Sequence, residues 1–247
     1  MEKHLHDSSC GCLDRRAAFG LAMAGAAGLA LGGPASAQTR RTGALTAAQR
    51  KALSPDDVLR LVMEGNERFA SGRRQPMDFL AQQRQSAAEG QHPAAIFLTC
   101  VDSRAPVEVI CDLGIGDAFN ARVAGNVVND DILGSMEFAT AAAGAKLVMV
   151  MGHTACGAVA GAIDGVRLGN LTTLLARLGN AIEATEYAGE KSGRNMEYVD
   201  KVAATQVQKT IVLIRDRSPV LRGLEQTGQI RIVGSMYDLK TGRVSLL

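Results

Sequence analysis

The sequence contains no tryptophan, and aromatic residues make up only 4% of its 247 residues. Proteins that bind single-stranded nucleic acid stack bases on aromatic side chains, and this chain offers little for such stacking. The formal net charge is only +2 at pH 7, so the sequence also lacks the basic excess that binds nucleic-acid phosphates. We therefore expect no nucleic-acid partner, and a core built from aliphatic side chains and methionine.

Cysteine and histidine are also scarce, with five and four residues in the chain. Two of each lie before residue 38, and the rest of the chain keeps Cys100, Cys111, Cys156, His92 and His153. Three cysteines do not make a disulfide framework, which needs an even number. A metal ion held by two thiolates would explain why these cysteines stay unpaired.

The first 37 residues have the composition of an export signal. Arg15 and Arg16 precede an uncharged, Ala- and Gly-rich run that ends in small residues at Ala37. This pattern predicts a signal peptide cleaved after Ala37, and the paired arginines favour the twin-arginine route over the Sec route, which stays open. A membrane anchor is the alternative, but Gly and Ala make the run weakly hydrophobic. We expect a periplasmic protein without a membrane anchor once the signal is removed.

The sequence divides into three predicted regions. Residues 1–37 form the signal peptide, residues 38–53 a polar linker, and residues 54–247 one domain that begins with a helical arm. Ser54 and the Pro55 that follows it are typical of a helix start, and a second helix is predicted over Met77–Glu89. We expect this arm to pack on a second copy of the chain, in a homodimer or a tetramer.

The rest of the domain alternates strands with helices. The predicted strands are Ala94–Thr99, Ala118–Val123, Lys146–Met151, Ile230–Tyr237 and Arg243–Leu247. The predicted helices are Ile132–Ala143, Cys156–Ile163, Leu171–Tyr187 and Met196–Arg215. This alternation predicts an α/β fold with a mostly parallel central sheet and flanking helices.

Two motifs directly follow the two most apolar strands. The first runs from Cys100 to Arg104 as Cys-Val-Asp-Ser-Arg, and the second runs from His153 to Cys156 as His-Thr-Ala-Cys. Functional sites of open α/β sheets form beyond the carboxyl ends of the strands. We therefore expect the two motifs to converge.

The residue types in these motifs favour zinc. Cys100, His153 and Cys156 offer two thiolates and an imidazole, and zinc prefers such ligands in a tetrahedron. Three protein ligands leave one position for water, as in catalytic zinc sites, and zinc lowers the pKa of that water to roughly 7. Either motif alone is a weak indication of a metal site. The second motif could be a buried histidine near a core cysteine, and the first could be a strand end with a surface ion pair, so the hypothesis depends on both.

Asp102 and Arg104 suggest how the fourth position is kept open. A carboxylate two residues from Cys100 can reach the metal and block it as a conditional fourth ligand. The guanidinium of Arg104 can instead hold Asp102 through two hydrogen bonds. Held in this way, Asp102 can accept the hydrogen bond of a zinc-bound hydroxide and direct its lone pair at the substrate.

Together these motifs resemble the signature of the β-class carbonic anhydrases, and the resemblance extends from about Val58 to Leu247. Further matching segments are Gly116–Phe119, Arg122–Asn126, Gly134–Phe138, Gly152–Val159 and Met236–Leu239. The resemblance implies a β-carbonic anhydrase-like fold and a zinc enzyme, a lyase, that interconverts carbon dioxide and bicarbonate. It also implies that zinc-bound hydroxide attacks carbon dioxide and releases bicarbonate and a proton.

The same resemblance implies substrate-binding residues. Gln91 matches a substrate-orienting glutamine of the plant-like subtype, and Phe119 matches an aromatic wall of the carbon dioxide pocket. Phe138 stands where many members have tyrosine, so the role of that hydroxyl is lost. The backbone amide of Gly157, which follows Cys156, can face the substrate. Some members close the site with bicarbonate in a second pocket lined by tryptophan, which this chain lacks, so we expect the open arrangement.

Two alternative functions remain open from the sequence. A hydrolase of carbonyl sulfide or carbon disulfide would need only the same zinc site and a small apolar pocket. A non-catalytic module that binds zinc or bicarbonate would need Asp102 locked on the metal. The presence of Arg104 argues against such a permanent lock.

Overall fold

A β-sheet organises the part of the chain that the computed structural model describes, residues 41–247. Its strands are β1 (Ala95–Thr99), β2 (Ala118–Arg122), β3 (Leu147–His153), β4 (Arg231–Tyr237) and β5 (Val244–Leu246). They lie in the order β2-β1-β3-β4-β5, and only the β4–β5 pair is antiparallel. The predicted fold class, an α/β fold with a mostly parallel sheet, is confirmed.

Helices cover both faces of this sheet. They are α1 (Ala47–Ala52), α2 (Pro55–Ala70), α3 (Phe79–Glu89), α4 (Val107–Ile110), α5 (Asp130–Glu137), α6 (Gly157–Ile163), α7 (Gly169–Ala176), α8 (Gly179–Ala184), α9 (Met196–Arg217) and α10 (Pro219–Gln226). Strands β1 and β3 are buried along their whole length, as expected of central parallel strands. Successive side chains of β1 face opposite sides: Phe97 shares a core cluster with Val62 of α2, and Leu98 shares one with Val207 of α9.

Helix α2 of the helical arm packs on its own chain, and the expectation that the arm also packs on a second copy stays a prediction. Helix α2 begins at the predicted cap, where Ser54 and Asp57 form a capping box. Asn66 of α2 donates through Nδ2 to the carbonyl oxygens of Ile110, at 2.9 Å, and Gly242, at 2.8 Å. Helix α2 is therefore fixed to its own chain, because a buried amide bonds it to two segments that are distant in the sequence.

Two predictions about the helices need correction. The segment predicted as a linker contains α1, which begins with a capping box between Thr46 and Gln49. The helix predicted over Leu171–Tyr187 is broken into α7 and α8, and the break places Leu178 in the core against Gly125. The helix predicted over Ile132–Ala143 is confirmed, as α5 and the π-helical turn that continues it to Ala142.

In residues 41–247 no helix is long and apolar enough to cross a membrane. The predicted signal peptide, residues 1–37, lies outside the described residues.

Candidate metal centre

Two adjacent strands deliver the two motifs to one edge of the sheet. Strands β1 and β3 are parallel neighbours, with Thr99 opposite Met151. Cys100 follows the last residue of β1, and His153 is the last residue of β3. Cys156 lies three residues further on, directly before α6. The convergence expected from the sequence follows from the parallel register.

The three expected ligands form a compact buried cluster. Ligand atoms of Cys100, His153 and Cys156 all lie within 4.8 Å of one another, and the two sulfur atoms are 4.0 Å apart. Two sulfurs bound tetrahedrally to one zinc, each at about 2.3 Å, are about 3.8 Å apart. All three cysteines of residues 41–247 are free of disulfides. The donor set and its spacing therefore fit zinc.

The hydrogen bonding of His153 selects the ring nitrogen that faces this cluster. Its Nδ1 lies 2.9 Å from the carbonyl oxygen of Thr154, which can only accept, so Nδ1 carries the hydrogen. The Nε2 atom is buried and has no hydrogen-bond partner among residues 41–247. A neutral imidazole bonded through Nδ1 presents a lone pair at Nε2, which is the form that binds a metal.

The two thiols are close enough to share a hydrogen bond, which favours one of them as a thiolate. The hydrogen bond between the two sulfur atoms lowers the pKa of Cys100 and raises the pKa of Cys156. Burial lowers the pKa of His153, but the neighbouring Cys100 thiolate and the Thr154 carbonyl outweigh it, so this pKa is raised. The site is therefore prepared for a cation that replaces the remaining thiol proton.

Asp102 lies beside the cluster and is held by Arg104. The Nε of Arg104 donates to Oδ1 of Asp102 at 2.9 Å, and a terminal nitrogen donates to Oδ2 at 2.8 Å. These bonds hold the pKa of Asp102 well below its usual range. Oδ2 of Asp102 is 3.8 Å from Nε2 of His153. The carboxylate is thus ionised, fixed and within reach of a group bound at the cluster.

Two residues at this edge were not predicted as site residues. Nε of Arg122 donates to the carbonyl oxygen of Cys100 at 3.0 Å, which fixes the backbone between the first ligand and Asp102. Asp200 of α9 accepts a hydrogen bond from the backbone N–H of Ala155 at 2.7 Å. The sequence signal for Arg122 was its place in a matching segment, whereas Asp200 carries no motif.

The structure does not bring three of the expected substrate residues to the metal ligands of the same chain. Phe119 of β2 lies opposite Ile96 of β1. Ile96 precedes Cys100 by four residues, so Phe119 is about 13 Å from Cys100 along the strand direction. Its ring packs edge-on against Phe138, with centroids 6.0 Å apart, in a cleft of about 780 Å³. Gln91 precedes β1, so it also lies towards the opposite edge of the sheet.

Gly157 is the expected substrate residue that does lie beside the ligands. It is exposed and begins α6 directly after Cys156. A Cβ atom added there would meet no atom within 4 Å outside the neighbouring residues and the backbone of α6, so the position is open on the side where a side chain would project.

Comparisons with known proteins agree with this geometry. The sequence model of the carbonic anhydrase family matches residues 95–244, more than half of the chain. Carbonic anhydrase 2 of Mycobacterium tuberculosis is 34% identical over 194 residues, which cover 78% of this chain and 93% of that protein. The crystal structure of the β-carbonic anhydrase CafA of Aspergillus fumigatus is 30% identical, with a TM-score of 0.58, over 67% of this chain and 84% of its own. A tetrameric β-carbonic anhydrase of Sordaria macrospora has a TM-score of 0.59 and 26% identity, over 77% of this chain and 97% of its own.

The region matched by the family contains the whole candidate metal centre. Cys100, His153 and Cys156 lie within it, as does the Asp102–Arg104 pair. Sequence, fold and donor geometry lead to the same assignment, and the chain belongs to the β-class carbonic anhydrase family.

Proposed function

We propose that Cys100, His153 and Cys156 hold the zinc with which this carbonic anhydrase reversibly hydrates carbon dioxide to bicarbonate and a proton. The observation that carries the proposal is the unpartnered, buried Nε2 of His153 between two free thiols, beside an ionised carboxylate. When bound, zinc supplies the Lewis acidity that lets water ionise near neutral pH.

The protein's own contribution centres on Asp102. Its Oδ2 lies on the cluster side and can accept a hydrogen bond from the attacking water, which orients a lone pair towards carbon dioxide. Arg104 donates two hydrogen bonds to the same carboxylate. This pairing keeps Asp102 negative and opposes its use as a ligand, which supports the open arrangement and the plant-like subtype.

The alternative functions receive less support. Hydrolysis of carbonyl sulfide or carbon disulfide would use the same cluster, and no described contact favours it. A non-catalytic module would need Asp102 away from Arg104, but the two side chains are paired.

The test of this proposal is stopped-flow hydration of carbon dioxide by purified protein, with its zinc content measured on the same sample. We expect about one zinc per chain and catalysis well above the buffer rate. Zinc-loaded protein that hydrolyses carbonyl sulfide but does not hydrate carbon dioxide would favour the hydrolase instead.

We also propose that the protein assembles with itself as a dimer or tetramer. The solved Sordaria macrospora relatives are tetrameric by their description. In this chain β2 is an edge strand, and Phe119 on it packs against Phe138, which directly follows α5 and is 58% exposed. An unpaired edge strand beside an exposed aromatic pair is typical of a surface that another chain covers.

Finally, we propose export to the periplasm through the signal peptide at residues 1–37. The support is the paired Arg15 and Arg16, the uncharged run after them and the small residues that end at Ala37. With this peptide removed, the mature protein begins at Gln38.

A further inference from the structure

The turn that carries two of the three ligands contains a residue in an uncommon conformation. Ala155 lies between His153 and Cys156 and has a φ of 50°. Residues other than glycine rarely adopt this left-handed region, because their Cβ crowds the backbone. The surrounding structure must therefore hold Ala155 in this conformation. Its backbone angle sets the direction of the chain after β3, and with it the position of Cys156.

Two different elements hold the turn in place. The end of β4 fixes Thr154: its N–H donates to the Tyr237 carbonyl oxygen at 3.0 Å, and its hydroxyl accepts from the N–H of Leu239 at 3.0 Å. Helix α9 fixes Ala155, whose N–H donates to Oδ1 of Asp200 at 2.7 Å. The bond to Asp200 is thus the contact that acts on the strained residue itself.

Helix α9 is itself rigidly placed against the metal centre. Val199 and Val202, on either side of Asp200 in the sequence, are fully buried in the same core cluster as Cys100 and Cys156. A carboxylate is a stronger hydrogen-bond acceptor than a carbonyl oxygen, so it can oppose the conformational preference of an alanine. Asp200 therefore connects a packed helix to the ligand turn by one short, charge-assisted bond.

We propose that Asp200 is a positioning residue of the metal centre, which holds Ala155 in its left-handed conformation and so sets the angle at which His153 and Cys156 meet the metal. The inference depends on the proposed function, because it takes the three side chains to be zinc ligands. It assigns a role to a residue that contacts neither metal nor substrate.

The first test compares zinc affinity in three variants of the full chain, measured by competition with a chromophoric chelator. Asp200→Ala should weaken zinc binding about tenfold or more, as loss of a partner of a metal ligand does. Asp200→Asn keeps a weaker, uncharged acceptor for the Ala155 hydrogen bond, so its zinc affinity should lie between those of Asp200→Ala and the wild type. Glu197→Ala is the matched control, because it also removes an acidic side chain from α9, one turn earlier and at an exposed position. Its zinc affinity should equal that of the wild type.

The second test asks whether the effect acts through Ala155. Glycine tolerates a positive φ, so Ala155→Gly should reduce the effect of Asp200→Ala on zinc affinity when the two are combined. The visible spectrum of the cobalt-substituted protein should change in Asp200→Ala and return towards the wild type in the double variant. A variant that merely unfolds would not be rescued in this way.

Unchanged affinity and an unchanged cobalt spectrum in Asp200→Ala would overturn the positioning role and leave the zinc site standing. An equal loss with and without Ala155→Gly would overturn it as well. Wild-type protein that binds neither zinc nor cobalt would instead overturn the proposed function, and this inference with it.

Discussion

Single side chains decide whether the site binds a metal. Cys100 and Cys156 are buried 4.0 Å apart and share a hydrogen bond, which a metal would replace. Cys111 is equally buried, but it lies outside the cluster, and burial raises the pKa of its thiol to about 12. Burial alone therefore does not make a thiol a ligand: the difference is the presence of neighbours that stabilise a thiolate.

The first prediction follows from that difference. Cys156→Ser should lose most of the bound zinc, because a serine hydroxyl is a far poorer zinc ligand than a thiolate. Cys111→Ala is the matched control and should keep about one zinc per chain. Elemental analysis of both purified variants checks this, and a full zinc content in Cys156→Ser would refute the assignment of that ligand.

The second prediction concerns Asp102. Asp102→Asn should keep the metal but lower the rate of carbon dioxide hydration by about 100-fold, because the anionic acceptor is lost. Arg104 holds the pKa of Asp102 below its usual range, so the carboxylate is ionised at every pH above that range. The ratio of wild-type to variant rates should thus be the same at pH 7 and pH 9. A ratio that changes between these values in stopped-flow assays, or full activity in the variant, would contradict this role.

Secondary-structure elements explain why some of this site was predictable and some was not. The ligands were predictable because each motif directly follows a continuously apolar strand, and parallel strands end at one edge. Asp200 was not predictable, because only the packing of α9 brings it to Ala155. Gln91 and Phe119 were inferred from resemblance alone, and strand register places Phe119 away from the ligands of its own chain.

The helices, too, include features that the sequence predicts and features that depend on tertiary packing. The start of α2 was predictable from its local capping sequence at Ser54. The break between α7 and α8 was not, because it depends on the tertiary burial of Leu178 against Gly125. The assignment of 38–53 as linker missed α1, whose capping box at Thr46 was present in the sequence as a local signal.

The third prediction tests how the arm is attached. Asn66 is 3% exposed and makes three hydrogen bonds, donating to Ile110 and Gly242 and accepting from the N–H of Val244 at 2.7 Å. Asn66→Ala would leave these backbone groups unpaired in the core, and we expect a loss of about 3 kcal/mol in the free energy of unfolding. Urea denaturation measures this. Asn180→Ala, at an exposed asparagine of α8, is the control and should cost about 0.5 kcal/mol or less.

At the level of the whole molecule, the metal centre and the exposed aromatic pair lie towards opposite ends of the strands. Phe119 lies on β2, an edge strand with one free side, and Phe138, which directly follows α5, packs against it. Our fourth prediction is that the purified protein is a dimer or tetramer at micromolar concentration, as measured by light scattering. Phe138→Ser should shift the distribution towards smaller species, because it removes exposed apolar area. A monomeric wild type would contradict the proposed assembly.

The last prediction concerns the route of export, and it follows from how the site is built. The ligands come from two strands and a turn, so the metal centre exists only in the folded chain. Thiols stay reduced and ready for zinc in the cytoplasm, whereas the periplasm favours disulfides. A route that carries folded protein would therefore preserve a loaded site, and Arg15 with Arg16 matches that route.

We expect the periplasmic protein to begin at Gln38, which N-terminal sequencing or mass spectrometry of that fraction will show. Replacing Arg15 and Arg16 together by lysine should keep the protein in the cytoplasm. The same replacement at Arg40 and Arg41, a second arginine pair beyond the cleavage site, is the matched control and should leave export unchanged. Export that survives the first replacement would argue for the Sec route, in which the chain crosses unfolded and zinc must bind after the thiols have met the oxidising compartment.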